Sequence, residues 1–86
     1  MIEKEIEVKI ANGLHARPVA QFVKIVNQFK SDVLLVKNER RIDAKSIFNL
    51  MSAAIREGDR LKIIVDGADE NEAMQAIETF LQTGEA

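Results

Sequence analysis

From Glu5 to Ile10 polar and apolar residues alternate without a break, which places Ile6, Val8 and Ile10 on one buried face of a half-exposed strand. Asn12-Gly13 stops the alternation. Between Ala16 and Phe29 the period changes. Ala16, Val19, Ala20, Val23 and Val26 recur at helical spacing, and Phe22 and Phe29 widen the apolar stripe. Pro18 falls in the first turn, where its missing N–H costs nothing and its fixed φ suits a helix. The helix therefore begins at His15-Ala16-Arg17.

Ser31-Asp32 breaks the pattern, and Val33 to Val36 is a short strand-like run. Lys37-Asn38-Glu39-Arg40 reads as a hairpin turn leading into a second short strand, Arg41-Ile42-Asp43. Ile47 to Met51 is apolar enough for a short helix with Ser46 as its N-cap. Gly58-Asp59 punctuates, Leu61 to Val65 is a strand rich in β-branched residues, and Gly67 ends it. Asp69 to Glu72 has the form of a capping box, with the Asp69 carboxylate over the helix start and Glu72 reaching back. Ala73, Ala76, Ile77, Phe80 and Leu81 then define an amphipathic helix that Gly84 terminates. The order is βαββαβα, with no internal repeat or linker. It predicts one α+β domain spanning residues 1–86, with helices packed on one face of a mainly antiparallel sheet. Strand order is not encoded in these patterns.

Composition narrows the class. Of 86 residues, 47% are hydrophobic and 30% charged, a globular balance; the four aromatics are all Phe, so the core is aliphatic. A formal charge of −2 argues against general affinity for nucleic acid. The absence of cysteine excludes disulfides and thiolate metal sites. The chain opens on charged, strand-like sequence with no apolar run of signal-peptide or membrane-spanning length, so a cytoplasmic protein without membrane insertion is expected.

Chemistry concentrates at the first helix. His15, the only histidine, stands where unpaired N–H groups and the helix dipole favour anions. Arg17 adds a positive fork suited to phosphoryl oxygens, and Gly13 lets the backbone turn tightly out of the strand. Neutral imidazole is a competent nucleophile near neutral pH, and an anion-welcoming helix start disfavours its protonated form. A surface histidine without chemistry fits the same pattern. No second histidine, cysteine or suitably spaced carboxylate accompanies it, so neither a metal site nor a Ser-His-Asp arrangement is indicated.

The segment Asn12-Gly13-Leu14-His15-Ala16-Arg17-Pro18 resembles the active-site signature of the HPr family, histidine-containing phosphocarriers of the phosphoenolpyruvate-dependent sugar phosphotransferase system. A second segment, Ala44 to Met51, resembles that family's regulatory serine segment. The resemblance extends over the whole chain. It implies an open-faced sandwich, a four-stranded antiparallel sheet with three helices on one face. It implies a covalently phosphorylated carrier that needs no cofactor and is not a turnover enzyme. Enzyme I would phosphorylate Nδ1 of His15, and sugar-specific IIA proteins would receive the group. Arg17 would steady the phosphate, Pro18 would shape the helix start, and Asn12 and Gly13 would organise the loop.

By the same resemblance Ser46 is the target of an HPr kinase/phosphorylase, although a plain N-cap role fits it equally. Ala16, Ala20 and Lys24 on the first helix, with Ile47, Phe48 and Met51 on the second, would form the partner-binding surface, ringed by Arg17, Lys24 and Lys45. Phe48 and Met51 fit a core role as readily as a contact role. Asn27 and Asn49 depart from residues found in relatives, which bears on partner preference and not on the chemistry. The competing reading is a regulatory paralogue acting through phospho-Ser46, for example with a LacI-type transcription factor, or a carrier for a specialised branch. His15 argues against the catabolite-repression paralogue, in which that position is not histidine. A monomer is expected.

Overall fold

A computed structural model of the chain describes residues 1–11, 13, 14 and 16–84, excluding the side chain of Ala16. The elements run β1 (Ile2–Glu7), α1 (Ala16–Val26), β2 (Asp32–Lys37), β3 (Arg40–Asp43), α2 (Ile47–Ser52), β4 (Arg60–Asp66) and α3 (Glu70–Thr83). The strands form one antiparallel sheet in the order β1-β4-β2-β3. β4, the most β-branched stretch, therefore lies inside the sheet, hydrogen-bonded to β1 and to β2. The β2–β3 hairpin closes at Asn38 and Glu39, both with positive φ (50° and 70°), the two-residue turn whose twist matches the strands.

Register decides which side chains meet. Ile6 faces Leu61, Leu35 faces both Ile63 and Ile42, and Val33 faces Val65. These seven residues are all buried on the face that the helices cover. Phe22 of α1 and Phe80 of α3 close the layer above, their ring centroids 5.9 Å apart. Each such buried side chain contributes on the order of 1.5–3 kcal/mol. On the opposite, open face Leu34, Val36 and Ile64 are half-buried among charged neighbours.

Three local expectations are corrected. The first strand spans Ile2–Glu7 and not Glu5–Ile10. Val8 and Ile10 are buried as the alternation requires, but the ladder to β4 ends at Glu7–Arg60. Beyond it the Lys9 N–H donates to Leu81 O at 2.9 Å, outside the sheet. The first helix stops at Val26, because Gln28 and Phe29 donate to carbonyls three residues back and the Asn27 amide caps Val23 O at 2.9 Å.

The capping box before α3 does not form either. Asp69 is the N-cap residue but makes no side-chain cap bond. Its carboxylate accepts the N–H groups of Lys30 (2.8 Å) and Ser31 (3.0 Å) instead. Glu70 is the residue that reaches back, accepting the Gly67 N–H at 3.2 Å. At the other end Gly84 closes α3 as expected, donating its N–H to Phe80 O at 2.7 Å.

Candidate functional site

Asn12 and His15 lie outside the described residues; what is described is the frame on either side of them. Gly13 is buried, with φ +70°, and donates its N–H to Ile10 O at 2.8 Å. A Cβ at this position would fall 2.5 Å from the Arg56 Cα and 2.6 Å from Ile55 O, so the loop lies directly on that backbone. Leu14 is buried and donates its N–H to Ile55 O at 3.0 Å. The segment Ala54-Ile55-Arg56 is thus a ledge under the two residues that precede His15.

Sequence patterns did not reveal this ledge. The Gly58-Asp59 turn next to it was visible, but nothing in the chain links it to a glycine more than forty residues earlier. Asp59 organises the turn: its Oδ2 accepts the Arg56 N–H at 2.8 Å and forms an ion pair with Lys37 Nζ at 2.8 Å. The Lys37 hydrogen bond, with the Arg56 N–H second, holds the Asp59 carboxyl below its ordinary range.

On the other side of His15, α1 opens with Ala16, and its first turn contains no acidic residue. Arg17 is exposed there, Pro18 is half-buried, and Val19 is fully buried, which pins the turn to the core. Ala20 and Lys24 follow at helical spacing and both are exposed.

The short helix α2 packs against α1. Ser46 caps it as expected, its hydroxyl accepting the Asn49 N–H at 3.3 Å while Ser46 itself stays half-exposed. Leu50 is its buried anchor. Ile47, Phe48 and Met51 point outward with 43, 87 and 51% of their surface exposed, so they are surface residues and not core. Lys45 is more restrained than a free rim cation, since its half-buried ammonium donates to Phe29 O at 3.4 Å.

Among the described residues no group of three or more acidic, histidine or cysteine side chains is placed to hold a metal ion. A groove of about 360 Å³ between α1 and α3, lined by Ile25, Gln28, Glu72, Gln75, Ala76 and Thr79, includes none of the predicted site residues. Among the described residues no helix is long and apolar enough to cross a membrane.

The class this defines is a small open-faced α+β sandwich that presents a helix start and, packed against the same helix, an exposed apolar patch. The family described as "PTS HPr component phosphorylation site" matches residues 2–83. The chain is 45% identical over 82 residues to the HPr-like protein Crh of Halalkalibacterium halodurans, covering 95% of this chain and 98% of that protein. It is 38% identical over 83 residues to the phosphocarrier protein HPr of Haemophilus influenzae, covering 96% and 98% of the two chains. The crystal structure of HPr-C-His from Thermoanaerobacter tengcongensis superposes with a TM-score of 0.92 at 38% identity, over 100% of this chain and 99% of that one. The chain belongs to the HPr family, the phosphocarriers of the phosphotransferase system, which are not turnover enzymes.

Proposed function

We propose that His15 accepts a phosphoryl group from phosphorylated enzyme I and passes it to sugar-specific IIA proteins. The observation that carries this reading is the position of the only histidine in the chain. It is bracketed by Leu14, whose N–H is tied to Ile55 O, and by Ala16, which opens a helix whose first turn holds an exposed arginine and no acid. A ring nitrogen, Nδ1 by family resemblance, attacks phosphorus as the bond between phosphorus and its donor atom on phosphorylated enzyme I breaks. The same exchange then runs from His15 to the acceptor. The helix N-terminus and Arg17 stabilise the transferred phosphoryl oxygens. Gly13 lets the backbone lie on the ledge and Pro18 sets the helix start, and Asn12 is carried over with them from the family signature.

Ala16, Ala20, Lys24, Ile47, Phe48 and Met51 form the docking surface in this reading. The exposure of Phe48 beside basic residues suits brief recognition of several acidic partners. The protein acts as a cytoplasmic monomer, without nucleic acid and without entering a membrane.

A second reading is favoured by the half-exposed Ser46 cap and by the similarity to Crh. An HPr kinase/phosphorylase would modify Ser46, and the phosphorylated form would engage a LacI-type transcription factor. Phosphoserine at a helix start leaves the fold intact but adds negative charge beside Phe48, opposing acidic partners. His15 favours the carrier reading, and both roles are compatible in one chain.

The test is intact-mass analysis after incubation with phosphoenolpyruvate and enzyme I. One phosphoryl group, lost in acid and absent from His15→Ala, is expected. An adduct that persists in His15→Ala would remove His15 from the role. No adduct on the wild-type chain, with an enzyme I active on another HPr, would favour the regulatory reading, which ATP-dependent labelling of Ser46 then checks.

A further inference from the structure

Lys37 ends β2 far from Leu14 in sequence, yet its side chain is directed to the ledge beneath Gly13 and Leu14. Its side chain is four-fifths covered, and its ammonium meets Asp59 Oδ2 at 2.8 Å, Ala54 O at 3.1 Å and Ala53 O at 3.4 Å. The two carbonyls lie just past α2, on its C-cap Ala53 and on the residue after it, where no further helical turn supplies N–H partners. Asp59 in turn holds the Arg56 N–H, so both ends of Ala54-Ile55-Arg56 are fastened through one ammonium. The fastening opposes a local strain, since Ala54 sits at φ +52°, a region that L residues with a Cβ resist. Ile55 O, in the middle of this span, is the acceptor for Leu14.

We infer that Lys37 is a positioning residue for phosphoryl transfer: through Asp59 and the carbonyls of Ala53 and Ala54 it fixes the ledge that holds Gly13 and Leu14, the two residues before His15 in the chain. Lys37 itself touches neither the phosphoryl group nor the partner. Because in-line transfer tolerates little displacement, a ledge free to shift by an ångström lowers the rate without weakening docking. This inference rests on the carrier reading of His15, but its structural half is measurable without it.

The experiment compares wild type with Lys37→Met, Lys37→Arg and Asp59→Asn. The first readout is hydrogen exchange of the Leu14 amide against amides in the middle of β4. The second is the rate of labelling from phosphoenolpyruvate through enzyme I as a function of carrier concentration. In Lys37→Met and Asp59→Asn, Leu14 exchange should quicken about tenfold while β4 amides hold their protection. The kcat for labelling should fall about tenfold with KM for the carrier unchanged, and Lys37→Arg should restore both. Unchanged Leu14 exchange in both disrupting variants overturns the inference, as does a loss seen only in KM. If Lys37→Met does not fold, Asp59→Asn decides alone. If wild type takes no label, the carrier reading fails, and Leu14 exchange still settles whether Lys37 holds the ledge.

Discussion

Asp69 and Ser31, 38 residues apart, are bound twice over: one carboxylate oxygen of Asp69 accepts both the backbone N–H and the hydroxyl of Ser31. The other oxygen takes the Lys30 N–H at 2.8 Å. Ser31 is fully buried, so these bonds satisfy polar groups that have no water to turn to. They also fasten the segment after α1 to the start of α3.

Asp69→Asn should therefore destabilise the fold, since an amide presents donors where the site needs acceptors. The Ser31 hydroxyl, then the Lys30 N–H, lower the Asp69 pKa. A carboxylate with a depressed folded pKa contributes stability in full above its unfolded pKa, near pH 4, and loses it as pH falls through the folded value. The gap between wild type and Asp69→Asn should be widest at pH 7 and shrink below about pH 4. Urea denaturation at pH 7 and pH 3 checks this; an equal gap at both would detach the effect from the carboxylate's charge.

Gly13→Ala should be among the most damaging single-methyl changes in the molecule. It puts a Cβ at φ +70° and 2.5 Å from the Arg56 backbone, where no flexible side chain can give way. The left-handed conformation alone costs roughly 1–2 kcal/mol, and displacing the loop adds to it. Chemical denaturation should show about 2 kcal/mol of lost stability, accompanied by slower labelling through enzyme I.

Ala54→Gly should act in the opposite direction. At φ +52° the alanine is strained, and glycine removes that strain at the cost of a more flexible unfolded chain. The two effects leave a net gain of about 0.5 kcal/mol, read as a rise of roughly 2–4 °C in Tm. A fall in Tm would mean that the Ala54 methyl is worth more to the fold than its conformation costs.

Phe48 and Leu50 separate docking from stability within one short helix. Leu50→Ala opens a fully buried site and should cost about 2–5 kcal/mol. Phe48→Ala removes a ring that is 87% exposed and should change stability by less than about 0.5 kcal/mol. Its effect should fall on association, weakening the enzyme I complex about tenfold by calorimetric titration. A large stability loss with unchanged association would reverse the assignment.

The order of elements was legible because each strand and helix carries its own period. Ile6, Val8 and Ile10 alternate, while Ala73, Ile77, Phe80 and Leu81 recur at helical spacing, and the folded chain buries all of them. The Ser46 cap was legible for the same reason, since it depends on neighbours within a few residues. A six-residue helix, by contrast, is too short for its pattern to say whether Phe48 faces the core or solvent.

Tertiary structure decided that, turning Leu50 inward and leaving Phe48 outside. It also settled the strand order, sent the Asp69 carboxylate to Ser31 in place of its own helix, and built the Lys37–Asp59 ledge under Gly13 and Leu14. The division has one physical cause. Periodicity records which side of a segment is apolar, a property of that segment alone. A hydrogen bond or ion pair between distant segments depends on which surfaces meet once the apolar sides are buried together, and only the packed chain contains that information.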